Sequence, residues 1–137
     1  MYERANIPFG VLFFDVDRFK DLNDSYGHAI GDKALQITAK ALSVSIRPFD
    51  TIGRWGGEEF LGVFPNTNEA SLWPIANRLC MLVRHSQVDL LQGSLRMTVS
   101  SGGTVVQKND TADSILKRAD RMMYKSKELG RDRVTIE

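Results

Sequence analysis

Apolar residues in this chain follow two rhythms, one of strands and one of helices. Gly10-Val11-Leu12-Phe13-Phe14 is a continuous apolar run behind Pro8, the pattern of a central strand covered on both faces. It stops at Asp15-Val16-Asp17. A short helix is expected from about Phe19 to Tyr26, with Gly27 to close it. Leu35, Ala39, Leu42 and Ile46 then put one apolar stripe on a longer helix, from about Ile30 to Ile46, ended by Pro48. Thr51 to Trp55 and Glu58 to Phe64 read as strands joined by a two-residue Gly56-Gly57 hairpin. After Pro65-Asn66-Thr67-Asn68, a third helix from Glu69 to about His85 turns Leu72, Ala76, Leu79 and Val83 inward. Leu95 to Val106 is strand-like, and Gly102-Gly103 within it marks a bend, a bulge or two strand pieces. Thr111-Ala112-Asp113 opens a fourth helix through Ile115, Ala119 and Met122 to near Gly130, and Arg133 to Ile136 is a last short strand. The order β-α-α-β-β-α-β-α-β predicts a layered sheet with helices, α/β or α+β.

Length and composition narrow this little further. A chain of 137 residues suits one domain, residues 1–137, and can bury roughly two-thirds of its unfolded surface. Hydrophobic residues at 42% and charged residues at 26% disfavour disorder, collagen-like repeats and coiled coil. Lysine and arginine number 18 against 17 acidic residues, a net charge of +1. No overall field therefore advertises nucleic acid or membrane, and an anionic ligand needs a local cluster. Cys80, alone, cannot form an internal disulfide and fits a reducing compartment. No apolar run approaches the roughly 18–20 residues needed to span a bilayer, and the opening Met-Tyr-Glu-Arg-Ala-Asn lacks the layout of a signal peptide. A soluble, cytoplasmic domain without a membrane segment is expected.

Candidate chemistry gathers at three places. Asp15 and Asp17, two apart at the end of a strand, share a face, and Mg²⁺ takes one or two carboxylates together with substrate phosphates. Asp15 equally well merely ends the strand, and Asp17 is expected to cap the following helix. In Gly56-Gly57-Glu58-Glu59-Phe60 the glycines let phosphates or ribose approach the backbone. Consecutive strand residues face opposite sides, so one glutamate should point where Asp15 points and the other should not. A solvated hairpin tip is the alternative unless the aspartates lie nearby. Lys20, and the group Lys125, Lys127, Arg131 and Arg133, are individually ordinary surface charges. Together these are the parts of metal-assisted phosphoryl transfer. There is no G-x-x-x-x-G-K-[ST] loop and no G-x-S-x-G elbow, and His28 and His85 are too few for a zinc site.

Gly56 through Phe60 resembles the signature of the GGDEF family of diguanylate cyclases, in its GGEEF form. Phe13 through Asp24, Tyr26 through Asp32, Arg54-Trp55, Ala119 through Tyr124, Lys127 and Gly130-Arg131 resemble further family blocks, in order, over nearly the whole chain. The resemblance implies an α+β palm-like fold, with a central, mostly antiparallel sheet flanked by helices. It also implies condensation of two GTP into cyclic di-GMP and pyrophosphate. By that likeness Asp15 and Glu58, with the Val16 carbonyl, hold Mg²⁺ or Mn²⁺. Glu59 joins the metal site or helps activate the attacking 3′-hydroxyl. Lys20, Lys127 and Arg131 contact phosphates, backbone N–H groups around Arg18 and Phe19 cradle them, and Gly56 and Gly57 lie against the substrate. Asn23 and Asp32 read guanine. Arg47-Pro48-Phe49-Asp50 falls where the family carries its R-x-x-D product-inhibition site, which Arg78 would complete; a helix end and turn with a surface ion pair is the alternative.

Two departures stand out. Met1 lies only about ten residues before the first strand, so the family's D-x-L-T-G-L-x-N-R stretch is absent: either the sequence is trimmed or the protein is a shortened member. Asp132 stands where asparagine often follows the Gly-Arg pair. The resemblance further implies a homodimer for turnover, with one GTP in each half-site, and a regulatory or sensory domain outside this chain. A non-catalytic domain that binds cyclic di-GMP or GTP in signalling is the alternative function.

Overall fold

The computed structural model describes residues 7–137; the N-terminal residues 1–6, with the signal-peptide argument drawn from them, lie outside the described residues. The elements are β1 (Phe9–Val16), α1 (Phe19–Tyr26), α2 (His28–Ser43), β2 (Thr51–Gly56), β3 (Glu59–Pro65), α3 (Glu69–Arg84), β4 (Gln87–Asp89), β5 (Ser94–Arg96), β6 (Val99–Val105), α4 (Ala112–Glu128) and β7 (Arg133–Ile136). Five strands form one sheet in the order β2-β3-β1-β6-β7. Its neighbours run antiparallel except β6 and β7, which are parallel. The apolar run of β1 occupies the centre and is covered on both faces. Leu12, Phe14 and Val16 face Leu35 and Leu42 of α2 and Leu72 and Leu79 of α3. Val11 and Phe13 face Ile115, Ala119 and Met123 of α4. This is the expected mostly antiparallel α+β sheet flanked by helices.

Several boundaries differ from the sequence pattern, each for a local reason. The second helix ends at Ser43, and Ile46 packs against the core from the following turn because the residue before Pro48 is disfavoured in a helix. Ala39 of the expected stripe is exposed, and Met123 rather than Met122 is the buried residue of α4. The β2–β3 hairpin turns at Gly57-Glu58, one residue later than expected, because the register shifts between Arg54 and Gly56. Gly57 takes the positive φ of 44° that this turn requires. Gly102 and Gly103 neither bend nor break β6. A Cβ at Gly102 would run into the backbone of Met122 and Met123, so the glycine lets α4 cross the sheet at close range. The break falls at Met97-Thr98 instead, and the strand-like stretch before it pairs with β4 in a separate two-stranded hairpin.

Candidate active site

Three chain segments meet at the end of β1. Asp15 lies opposite Glu59 of β3 and Ser100 of β6, and is buried. The Lys127 ammonium, from the last turn of α4, donates to Asp15 Oδ2 at 2.6 Å. Burial nonetheless pushes the Asp15 carboxyl above the ordinary range; Lys127 opposes this, and the charges of Glu58 and Asp17 add to it. Glu59 is raised as well, first by burial and then by the charges of Asp15 and Asp120. Like charges packed on one spot disfavour ionisation.

The expectation that strand alternation separates the two glutamates fails, because Glu58 belongs to the turn and only Glu59 to the strand. Glu59, in register with Asp15, shares its face. Glu58 is carried over β1 by its own carbonyl, which accepts from the Val16 N–H at 3.2 Å, and lines a cavity of ≈ 230 Å³ with Asp15 and Val16. Phe19, Lys20, Lys127 and Arg131 line the same cavity. Gly56 and Gly57 form the exposed rim of the hairpin, where Arg54 Nε donates to the Gly57 carbonyl at 2.8 Å.

Asp17 does not cap α1. Its carboxylate accepts from Thr98 Oγ1 and Ser100 Oγ, both at 2.6 Å, and from the Asp132 N–H at 3.0 Å. The residue at the helix start is Arg18, at φ 55°, and no side chain caps the first turn. The N-terminal amides of α1, with their share of the helix dipole, are therefore presented beside the cavity. Sequence reasoning missed this use of Asp17, whose partners lie 81 to 115 residues away.

Asn23 sits over Gly31 of α2, where a Cβ would strike its Oδ1. That oxygen is buried and has no hydrogen-bond partner among the described residues. Asp32, the next residue, is exposed and lines a separate hollow of ≈ 500 Å³ with Leu35, Ile52, Gly53 and Arg54.

An ion pair closes the Arg47–Asp50 turn. Arg47 Nε and Nη2 donate to both Asp50 oxygens at 2.8–3.2 Å, and Nη2 also reaches the Pro65 carbonyl and Thr67 Oγ1. The guanidinium lies 4.7 Å from the Phe49 ring centroid. Arg78 donates to Ser45 Oγ at 3.3 Å, two residues before Arg47, so the three sequence-derived residues share one neighbourhood. Of the alternative, the turn and the ion pair are present, but α2 ends earlier, at Ser43, and the Asp50 side chain is buried rather than at the surface.

Among the described residues no group of three or more His, Cys, Asp or Glu side chains could hold a metal. The cavity offers less than a cage: the Asp15 and Glu58 carboxylates and the Val16 backbone. That donor set suits a hard divalent cation that draws its other ligands from water and phosphate.

The family model described as "Diguanylate cyclase, GGDEF domain" matches residues 1–133. Diguanylate cyclase A of Treponema denticola is 37% identical over 127 residues, 92% of this chain and 34% of that protein. Diguanylate cyclase SiaD of Pseudomonas aeruginosa, solved in complex with its activator SiaC, has a TM-score of 0.96 at 34% identity, over 99% of this chain and 52% of that one. The coiled coil and GGDEF domain of DgcB from Caulobacter crescentus, in complex with c-di-GMP, gives 0.92 at 27% identity, over 99% and 73%. The chain thus spans about a third of the length of the first of these relatives. With the signature hairpin beside the β1 carboxylates and a match over nearly its whole length, this chain belongs to the GGDEF family of diguanylate cyclase domains.

Proposed function

We propose that the domain condenses two GTP molecules into cyclic di-GMP, releasing a pyrophosphate from each. In each half-reaction the 3′-oxygen of one GTP forms a bond to the α-phosphorus of the other, and the bond from that phosphorus to the β-phosphate oxygen breaks. One observation carries the reading: the Asp15 and Glu58 carboxylates, with Lys20, Lys127, Arg131 and an uncapped helix start, converge on one cavity, whose lining Arg18, Asp17 and Asp21 complete. Anions favour such helix starts, and fixed cations stabilise charge on a transferring phosphoryl group.

Asp15 and Glu58, with the Val16 carbonyl, would hold Mg²⁺ or Mn²⁺. Bound there, the cation neutralises the triphosphate and lowers the pKa of the 3′-hydroxyl. Lys20, Arg131 and the amides of α1 bind the phosphates. Lys127, already held by Asp15, places its charge where the pyrophosphate leaves. Glu59 lies opposite Asp15 in register and lines a neighbouring hollow with Asp120 and Lys127; with its carboxyl raised by burial and its acidic neighbours, it is the glutamate we assign to accept the hydroxyl proton. The unpartnered Asn23 oxygen and the Asp32 carboxylate accept from guanine's N1–H and amino groups, which adenine does not present in that arrangement. Asn23 left unpaired against the wrong base is the discriminating cost.

Each domain offers one such constellation, so turnover requires two copies facing each other. We read the Arg47, Asp50 and Arg78 face as the product-inhibition site: a guanidinium pre-oriented by Asp50, beside the exposed Phe49 ring, suits a guanine edge and a phosphate. Partial coverage of the relatives supports a regulatory or sensory segment in a longer protein. No helix is long and apolar enough to cross a membrane among the described residues, and a GTP-consuming reaction suits the cytoplasm.

The test is incubation with GTP and Mg²⁺ over a range of protein concentrations, with chromatographic separation of nucleotides. Cyclic di-GMP should form with a steeper than linear dependence on protein, and Glu58→Ala should abolish it in a folded protein. Bound GTP without product at any concentration would instead favour the non-catalytic binding domain.

A further inference from the structure

We propose that Asp17 is a positioning residue: its carboxylate clasps the turn between α4 and β7 to the start of α1 and thereby holds Arg131 at the phosphate cavity. The inference rests on the phosphate reading of that cavity. Two carboxylate oxygens accept three hydrogen bonds, from Thr98 Oγ1, Ser100 Oγ and the Asp132 N–H. That occupancy leaves Asp17 little capacity for metal or substrate, although it lies only two residues from Asp15. Its role therefore passes through what it holds.

What it holds are two strained turns. Arg18 directly follows Asp17 at φ 55°, and Arg131 and Asp132 stand at φ 67° and 50°. Non-glycine residues persist in the left-handed region only where their surroundings over-determine them. On the α4 side the Arg131 N–H donates to the Ser126 carbonyl at 2.9 Å. On the other side the fixed point is the Asp132 N–H on Asp17. Apolar packing does not replace it, because a second hollow of ≈ 620 Å³, bordered by Arg84, Arg96, Thr98, Arg131 and Asp132, lies behind this turn. Arg84 Nε closes the arrangement from outside, donating to the Asp132 carboxylate at 2.9 and 3.1 Å. Arg131 borders both the phosphate cavity and this hollow, so a turn released from Asp17 has room to swing its guanidinium away from the phosphates.

The experiment is calorimetric titration of GTP with Mg²⁺ into the wild type, Asp17→Ala, Asp17→Asn, Thr98→Val, Arg131→Ala and the double variants, so that binding is read without turnover. Asp17→Ala should weaken GTP by about tenfold and Thr98→Val by about threefold. Asp17→Asn should stay within about twofold of the wild type: its amide oxygen can accept from Thr98 and the Asp132 N–H, and its NH₂ can donate to Ser100 Oγ. Both losses should vanish once Arg131 is alanine, since a residue acting through another shows no separate effect without it. A loss that persists undiminished in the Arg131→Ala background overturns the proposal, as does an Asp17→Asn variant as weak as Asp17→Ala. Thr98→Val keeps the carboxylate and the shape of its partner, so its cycle with Arg131→Ala decides the matter even if Asp17→Ala does not fold. A wild type that binds no GTP removes the phosphate reading and the clasp together. Wild-type binding with additive losses removes the clasp alone.

Discussion

Helix α4 supplies a cation to a carboxylate at each of its two ends, and the two pairs are built on opposite terms. Near its start, Arg118 grips Asp110 through Nη1 at 3.0 Å and Nη2 at 2.6 Å, while Nε and Nη2 also donate to Thr104 Oγ1 and the Val105 carbonyl. Asp110 further accepts from Ser114 Oγ and the Gln107 N–H, each at 2.7 Å. Every direction is used, and Arg118 above all holds the Asp110 carboxyl well below the usual carboxylate range. At the other end Lys127 approaches Asp15 just as closely, yet the Asp15 carboxyl is raised, because burial and acidic neighbours outweigh one ammonium. A pair satisfied from all sides fixes structure; a pair left with surplus negative charge is one that a bound cation or a change of partner can relieve.

Substitution at Asp15 should break this comparison most visibly, by separating function from stability. On the proposed function, Asp15→Asn should lower cyclic di-GMP formation by at least about a hundredfold, since it would remove a charged metal ligand. Its melting temperature at pH 7, without added divalent cation, should be unchanged or higher. The sign follows from linkage: a carboxyl raised in the folded state is favoured there when protonated, so its ionised form weakens folding above that pKa. The advantage of the variant should shrink as pH falls through the raised value. Loss of activity together with a clear fall in melting temperature would show that Asp15 is a structural anchor like Asp110.

Asp110→Asn should do the reverse. Removing one partner of a buried ion pair leaves the Arg118 charge uncompensated, at a cost of about 3 kcal/mol, or roughly 10 °C for a chain of this size. The carboxyl is depressed in the folded state, so its contribution is present above the unfolded value of 3.8 and is lost as pH falls through the folded one. Thermal unfolding of wild type and variant should therefore converge in acid. GTP affinity at a temperature where both are folded should hold, because Asp110 touches nothing in the cavity.

How far the sequence revealed this follows from the distance between partners. Asp15, Glu58 and Lys127, which the structure brings to one cavity, stand out in the sequence because each sits in a contiguous motif, and β1 because its apolar run is unbroken. Helix α3 was legible residue by residue, with Leu72, Ala76, Leu79 and Val83 all fully buried. The β4–β5 hairpin was not, since strands of three residues carry no measurable alternation. Gly102 looked like a bend because a glycine that admits a neighbouring helix and one that permits a kink read alike. Asp17 reads as a cap because caps are local signals, whereas its partners arrive with the entry to β6 and the α4–β7 turn. Asp132 was visible only as an odd residue, and the Arg84 guanidinium on its carboxylate gives it a structural purpose.

The same helix carries a third pair that bounds the comparison from below. Lys117 Nζ lies 3.1 Å from Asp113 Oδ2, at the i, i+4 spacing, with both side chains more than 70% exposed. That is longer than the 2.6 Å of the two buried pairs but still well within ion-pair distance, so counting contacts alone would rank it with them. Water screens the attraction, and two mobile side chains lose rotamer freedom to hold it. Lys117→Gln should shift the melting temperature by no more than about one degree, and added salt should leave even less of a difference. A loss approaching that of Asp110→Asn would mean that charge separation, rather than burial and the number of hydrogen bonds around each carboxylate, governs the electrostatics of α4. That result would also undercut the reason for treating Asp15 and Asp110 differently.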